Sequence, residues 1–400
     1  MKKTIITAMI VCVTAGSTDA GNWTQFRGPK GMSVVTDRLP AELKESNVKW
    51  KTDLPGRGLS SPIVVGDKVF LSAASGPDQS RLHVICLDSK SGGKLWERQF
   101  WATGRTMTHE KTCVAAPTPV SDGRRLYVLF SSNDLLCLDL DGNLVWLRGL
   151  TVDYPNASNS LGMASSPVVA DGVLVVQVEN DSESFAAGIN VNTGENLWKL
   201  DRPKAANWTS PIAIERDGRE LAILQSSAGI HAVAPRSGKE VWYFGGGAST
   251  IPSSTFGPDG VLYVPANGIT ALQPGSSTKD VKELWVSGQL KPGTSSPVIV
   301  RDRIYTVNSS GVLTCGAIKD GKRLWQIRME GKKFSATPIA SGERLYCVNE
   351  DGLLQIIDCS GDEGKVTSSL ALGEVVLGTP SVAGDAIYVR SDGHVWKIGG

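Results

Sequence analysis

The richest run of chemically capable side chains lies between Trp101 and Ala116, where Arg105, His109, Glu110 and Lys111 sit close to Cys113. His109 is a candidate general base, with Glu110 beside it as an acidic partner. Adjacent side chains on an extended segment point to opposite sides, so the two need not meet. A solvated polar loop is the plainer reading of so charged a run. Tyr154, Asn156, Asn159, Asn207 and Trp208 add polar and aromatic groups from two further connections, suited to lining a funnel. His83, His231 and His394 fall at different offsets on or beside third strands and suggest no shared metal site. No nucleophile elbow, phosphate-binding loop, dinucleotide fingerprint or zinc spacing occurs, and no nucleophile is paired with a base and an orienting group. The expectation is binding rather than catalysis, through Arg105, His109, Lys111, Tyr154, Asn159 and Trp208. Arg105 and Trp208 are the expected anchors, since Arg and aromatic residues dominate interface energetics.

The elements that position these residues form a repeat. In Ser295 to Arg328, four short apolar runs (Val298 to Val300, Ile304 to Val307, Val312 to Cys315, Leu324 to Ile327) are separated by turn residues. β-branched alternation and Gly/Asp/Asn punctuation predict four antiparallel strands. Similar units open at Ser60-Ser61-Pro62, Pro117-Thr118-Pro119, Ser165-Ser166-Pro167, Thr209-Ser210-Pro211, Ala336-Thr337-Pro338 and Gly378-Thr379-Pro380. A degenerate unit opens at Ser254-Thr255-Phe256, without the proline. Most units end on a Trp of the fourth strand: Trp96, Trp146, Trp198, Trp242, Trp285 and Trp325. These tryptophans suit the wedge between neighbouring sheets. The last unit is one strand short, whereas Val48 to Lys51, with Trp50, reads as a fourth strand with nothing before it. The two complete each other. The predicted fold is all-β: a closed eight-bladed propeller over residues 47–400, its edges hidden by closure. Short turns fall on one face; the variable connections, and therefore the candidate site, fall on the other.

Residues 1–20 read as an export signal, with Lys2-Lys3, a short apolar stretch and small residues up to Ala20. Residues 21–46 read as an N-terminal extension whose Trp23 and Phe26 pack on the outside of the main body, with one helical turn near Pro40 to Leu43. A net charge of +1, without a sustained basic run, argues against nucleic acid. Six cysteines beyond the leader follow neither metal nor disulfide-scaffold spacing and read as small buried core residues. A soluble, exported monomer is expected.

The pattern Ala317 to Trp325 (A-I-K-D-G-K-R-L-W), echoed at Leu87 to Trp96, Ile189 to Trp198 and Ala232 to Trp242, resembles the tryptophan-docking motif of quinoprotein propellers. The N-terminal W-x-x-F-R-G-P at Trp23 to Pro29 is similar to that of secreted bacterial members. The resemblance covers nearly all of the chain after the leader and implies the propeller fold, with Trp50 and the six later tryptophans tying blades together. That family includes pyrroloquinoline-quinone (PQQ) alcohol dehydrogenases and a propeller lipoprotein of outer-membrane barrel assembly. An adjacent cysteine pair, a haem-attachment motif and an evident calcium set are missing here. The expectation is therefore no cofactor and a protein, peptide or carbohydrate partner on the long-loop face. A PQQ- and calcium-dependent oxidoreductase and an envelope scaffold stand as alternatives.

Overall fold

The computed structural model describes residues 21–157, 161–275 and 281–400. Eight sheets, each with four antiparallel strands counted outward from a common axis, form a closed propeller, and in seven of them those four strands are consecutive in the chain. Blade 1 consists of Ile63–Val65, Lys68–Ser75, Arg81–Asp88 and Lys94–Trp101. Blade 8 takes three strands from the C-terminus (Ser381–Ala383, Ala386–Arg390, His394–Gly399) and its outer strand, Val48–Asp53, from the other end of the chain. The register there is Val48↔Ile398, Trp50↔Lys397, Lys51↔Trp396, Thr52↔Val395 and Asp53↔His394. Val48–Asp53 thereby covers the edge that His394–Gly399 would otherwise leave open.

The burial pattern follows the radius. Inner and middle strands are buried on both faces, as in Val173–Val178, whereas outer strands are partly exposed, as in Lys94–Trp101. Where the third and fourth strands pair, the register slips just before the Trp position; Leu144/Trp146 and Cys315/Gly316 are examples. Such a bulge adds local twist and re-aims the side chain that follows. The Trp is thereby turned onto the next blade. The Nε1 of Trp50, Trp96, Trp146, Trp198 and Trp285 donates to the carbonyls of Ser89, Leu140, Val191, Pro235 and Ile318 on the following blade, at 2.6–3.2 Å. Under each ring lies a glycine of that blade's last turn. A Cβ on Gly92, Gly142, Gly194, Gly238 or Gly321 would come within 2.5–2.8 Å of it, and all five have positive φ. Close approach and left-handed backbone both demand glycine there. Trp242 is buried on the next blade's core, and Trp325 lies over Gly364.

Three expectations change. Trp23 and Phe26 do not pack on the outside: Trp23 is 1% exposed, and Phe26 lines the central cavity. The extension crosses the short-turn face, because a ring of eight blades leaves an axial hole that apolar side chains fill. Trp23 exchanges backbone bonds with Val64, Thr24 accepts from Ser121, and Val34–Val35 adds a fifth, parallel strand inside blade 7. Arg27, fully buried, donates to Thr255 Oγ1 (2.8 Å) and the Ser254 carbonyl (2.7 Å); burial pushes its pKa down to about 9. The helical turn lies at Glu45–Asn47 rather than Pro40 to Leu43. In blade 5 the residue equivalent to the opening Ser/Thr of the other blades is Ser253, one place before the expected start, as its ring contacts below show. The six cysteines are buried thiols, and burial pushes Cys86 and Cys113 up to about 12.

Candidate functional site

Each inner strand is preceded by a residue whose hydroxyl reaches the axis: Ser61, Thr118, Ser166, Ser210, Ser253, Ser296, Thr337 and Thr379. These eight form a collar. The backbone N–H of Ser61 donates to Thr118 Oγ1, that of Thr118 to Ser166 Oγ, and so on around to Thr337 N–H on Thr379 Oγ1, all at 2.9–3.1 Å. The chain of bonds runs through seven junctions. At the eighth, between blades 8 and 1, Ser61 Oγ makes no hydrogen bond among the described residues. Arg390 ties that junction instead. Its Nη1 donates to Ser60 Oγ (2.8 Å) and to the Ser72 carbonyl (2.7 Å).

The collar encircles a cavity of about 430 Å³. Phe26 of the extension forms its floor, so the axial channel is blind from the short-turn side. The blade-to-blade connections form the rim: His109, Lys111 and Thr112, then Leu161 and Ala164, Trp208, Ile251, Thr294, Ser335 and Leu377. The connection of residues 102–116 is held in place by the second turns of blades 1 and 2. Gln79 accepts from Val114 N–H (3.1 Å), and Thr103 is bonded through N and Oγ1 to the buried Asp134. Lys111 Nζ reaches Glu350 of blade 7 at 3.2 and 3.3 Å, and Ser335 Oγ donates to the same carboxylate at 2.6 Å. Arg57 donates to the Glu110 carbonyl and pairs with Asp392.

The sequence candidates separate in space. His109, Lys111 and Trp208 meet at the rim. Arg105 is exposed and contacts Met107, and Tyr154 packs on Phe185 at 4.6 Å with its hydroxyl accepting from Asn196; neither lines the cavity. Asn159 lies outside the described residues. Glu110 does not orient His109, whose Nδ1 accepts from the Lys111 backbone N–H at 3.1 Å. Trp208 is fixed from both sides. Its Nε1 donates to the Gly162 carbonyl at 2.8 Å, and its neighbour Asn207 donates to Glu179 Oε2 (2.9 Å) and the Gln225 carbonyl (2.7 Å). Glu179 in turn holds Arg202 at 2.6 Å, with both side chains about 2% exposed or less.

The expectation that no nucleophile is paired with a base and an orienting group is overturned within blade 1. Ser75 Oγ lies 2.7 Å from His83 Nε2, and His83 Nδ1 lies 2.8 Å from Glu97 Oε1. His83 is opposite Ala73 on one side and Gln99 on the other, so Ser75 and Glu97 are its diagonal neighbours on the same face. Only the register of two hairpins brings them together. Burial pushes the Glu97 pKa up, but hydrogen bonds from Lys94, His83 and Gln99 outweigh it and hold the group at about 2. Ser75 lines neither the axial cavity nor the groove beside the extension, and this relay cross-links strands. Sequence reasoning also missed the collar, whose signal was the Ser/Thr preceding the opening prolines.

A sequence profile described as outer membrane protein assembly factor BamB matches residues 42–160, 80–244 and 267–367. The chain belongs to this family of PQQ-like propellers. A BamB of Burkholderia pseudomallei is 21% identical over 362 residues, 85% of this chain and 84% of that protein. A polyvinylalcohol dehydrogenase of a Pseudomonas species is 26% identical over 198 residues, 45% of this chain; the match spans only 28% of that protein's length. BamB from Moraxella catarrhalis superposes with a TM-score of 0.62 at 16% identity, covering 88% of this chain and 96% of that one. That likeness is one of fold.

PQQ, which the resemblance implies, is a flat tricarboxylate that works with a divalent cation. The cavity walls do not suit it. Hydroxyls and aliphatic groups dominate the lining, and the Lys111 ammonium on its wall already faces both oxygens of Glu350. Among the described residues no group of three or more His, Cys, Asp or Glu is placed to hold a metal ion. Burying a polyanion there would leave most of its charge without a partner.

Proposed function

We propose that this BamB-family propeller is an exported binding module that receives its ligand in the blind axial cavity, from the face carrying the long connections. The observation that carries the reading is the cavity itself. It is closed below by Phe26, walled by the collar and rimmed by His109, Lys111 and a Trp208 held rigid by its neighbours. A concave, partly apolar site with a few convergent polar groups is the usual form of a binding pocket. The export signal read in residues 1–20 supports a periplasmic or extracellular setting, and no helix among the described residues is long and apolar enough to cross a membrane. The test is capture from an envelope extract by the immobilised mature chain. Trp208→Ala should weaken capture by about 1–4 kcal/mol while the unfolding midpoint holds. Arg105→Ala, away from the rim, should have little effect. Normal capture by the Trp208 variant would sink the proposal.

A scaffold role in an envelope assembly has its own supporting observation. Trp101, at the end of blade 1's outer strand, and Met107 and Val152, in the segments that follow the outer strands of blades 1 and 2, are 64%, 56% and 73% exposed. Large exposed apolar groups gathered in one region mark protein contact sites. Met107→Asp with Val152→Asp should abolish capture on this reading and leave it intact on the first.

A further inference from the structure

The collar hydroxyls have a property that the blade-to-blade bonds do not use. A hydroxyl has one donor and two lone pairs. In seven of the eight, one lone pair takes a backbone N–H of the preceding blade. None donates its own O–H to a protein acceptor among the described residues, and Ser61 Oγ is wholly without a partner although Ser61 is 1% exposed. The wall therefore presents a circle of groups, each with a donor and an acceptor free. Buried hydroxyls ordinarily find partners, and a circle of unused ones facing a cavity points to what enters it.

Three features narrow the ligand. It carries both donors and acceptors, since each collar group offers both; bare anions and cations match only half of that offer. It is neutral where it meets the collar, because Lys111 at the rim is matched by Glu350 and no free charge awaits a counter-ion. It also has an apolar face. Leu59, Leu161, Ile251 and Leu377 line the cavity beside the polar groups, and the Trp208 ring is held in one orientation by the Gly162 carbonyl. A pyranose has hydroxyls on its perimeter and C–H groups on its faces, the arrangement these walls complement.

We infer that the blind cavity binds the end of a neutral oligosaccharide, its hydroxyls against the collar and one ring face on Trp208. This rests on the binding reading above and names its ligand class. About 430 Å³ admits one or two sugar rings, so recognition is of a chain end rather than of a passing strand.

The experiment is calorimetric and fluorescence titration of the full mature chain with neutral cello-, malto-, xylo- and chitotriose. Saturable binding of at least one of these at one site is expected, with a change in tryptophan emission. Ser61→Ala is the decisive variant. Its hydroxyl supports no neighbour, so the melting temperature should hold while affinity falls by about five- to tenfold, the worth of one hydrogen bond. Trp208→Phe, which keeps a ring, should bind more weakly and lose most of the emission change. Unaltered affinity in Ser61→Ala overturns the collar as the contact surface. Failure of all four trisaccharides to bind, while Trp208→Ala still loses partner capture, overturns the carbohydrate assignment and leaves the binding reading standing. If capture too is indifferent to Trp208, both fall.

Discussion

Replacing Trp50 by alanine tests the ring closure at the point where the chain's two terminal segments meet. The Trp50 ring is 9% exposed and lies against Gly92 of blade 1, where a glycine Cβ would stand 2.6 Å from it. It also packs beside Tyr388, with centroids 5.9 Å apart, and donates to the Ser89 carbonyl at 3.2 Å. Lys397 Nζ donates to the same carbonyl at 2.8 Å, so the acceptor is not orphaned and the loss is mainly of packing. Glycine backbone on a bulged turn cannot collapse into the space left behind. Truncating a buried Trp in such a setting costs about 3–5 kcal/mol, two to four powers of ten in the folding equilibrium. Against a typical total of about 5–15 kcal/mol, that is a large share. Urea unfolding followed by far-ultraviolet circular dichroism measures it, with Trp101→Ala as control. Trp101 is 64% exposed and stacks on Arg81 at 4.3 Å, so its loss should cost about 1 kcal/mol or less. If Trp50→Ala unfolds at the same midpoint as the control, closure by this strand is not what holds the ring.

Acid should destabilise the ring through two carboxylates. Burial pushes the pKa of Glu374 up, but hydrogen bonds from Lys51, Ser391 and His394 prevail and hold it at about 2, as Lys94, His83 and Gln99 do for Glu97. Both lie below the unfolded value, near 4.5, so their stabilisation is complete above it and is lost as pH falls from there toward 2. Glu97→Gln and Glu374→Gln should each flatten the decline of the unfolding midpoint over that window. Glu179→Gln should cost about 3–5 kcal/mol by leaving Arg202 buried without its counter-charge. It should also shift tryptophan emission, because Asn207 loses the carboxylate that fixes it next to Trp208. Arg390→Leu should lower the melting temperature by loosening the junction where Ser61 is unbonded, and Ser61→Ala should not.

The propeller was legible in the sequence because its signals are local and repeated. Alternation fixes each strand's faces, Asp-Gly and Gly-Asp pairs fix the hairpins, and the orphan strand at Val48 and the missing strand after Gly399 account for each other. Which connections share a face also followed, since strand count alone decides whether a turn points up or down. The site was legible only in part. His109, Lys111 and Trp208 were named from residue type, but nothing local separates them from Arg105 or Tyr154, which the same connections carry outward. The floor belongs to tertiary structure alone, because Trp23 and Phe26 become internal only when an axial hole exists for them to fill. The Ser75–His83–Glu97 relay depends on diagonal register across three strands. The collar depends on a symmetry that no single repeat contains. One Ser or Thr before a strand is a common turn residue; eight of them around a common axis, seven braced by a neighbouring blade's backbone N–H, make the wall of a pocket.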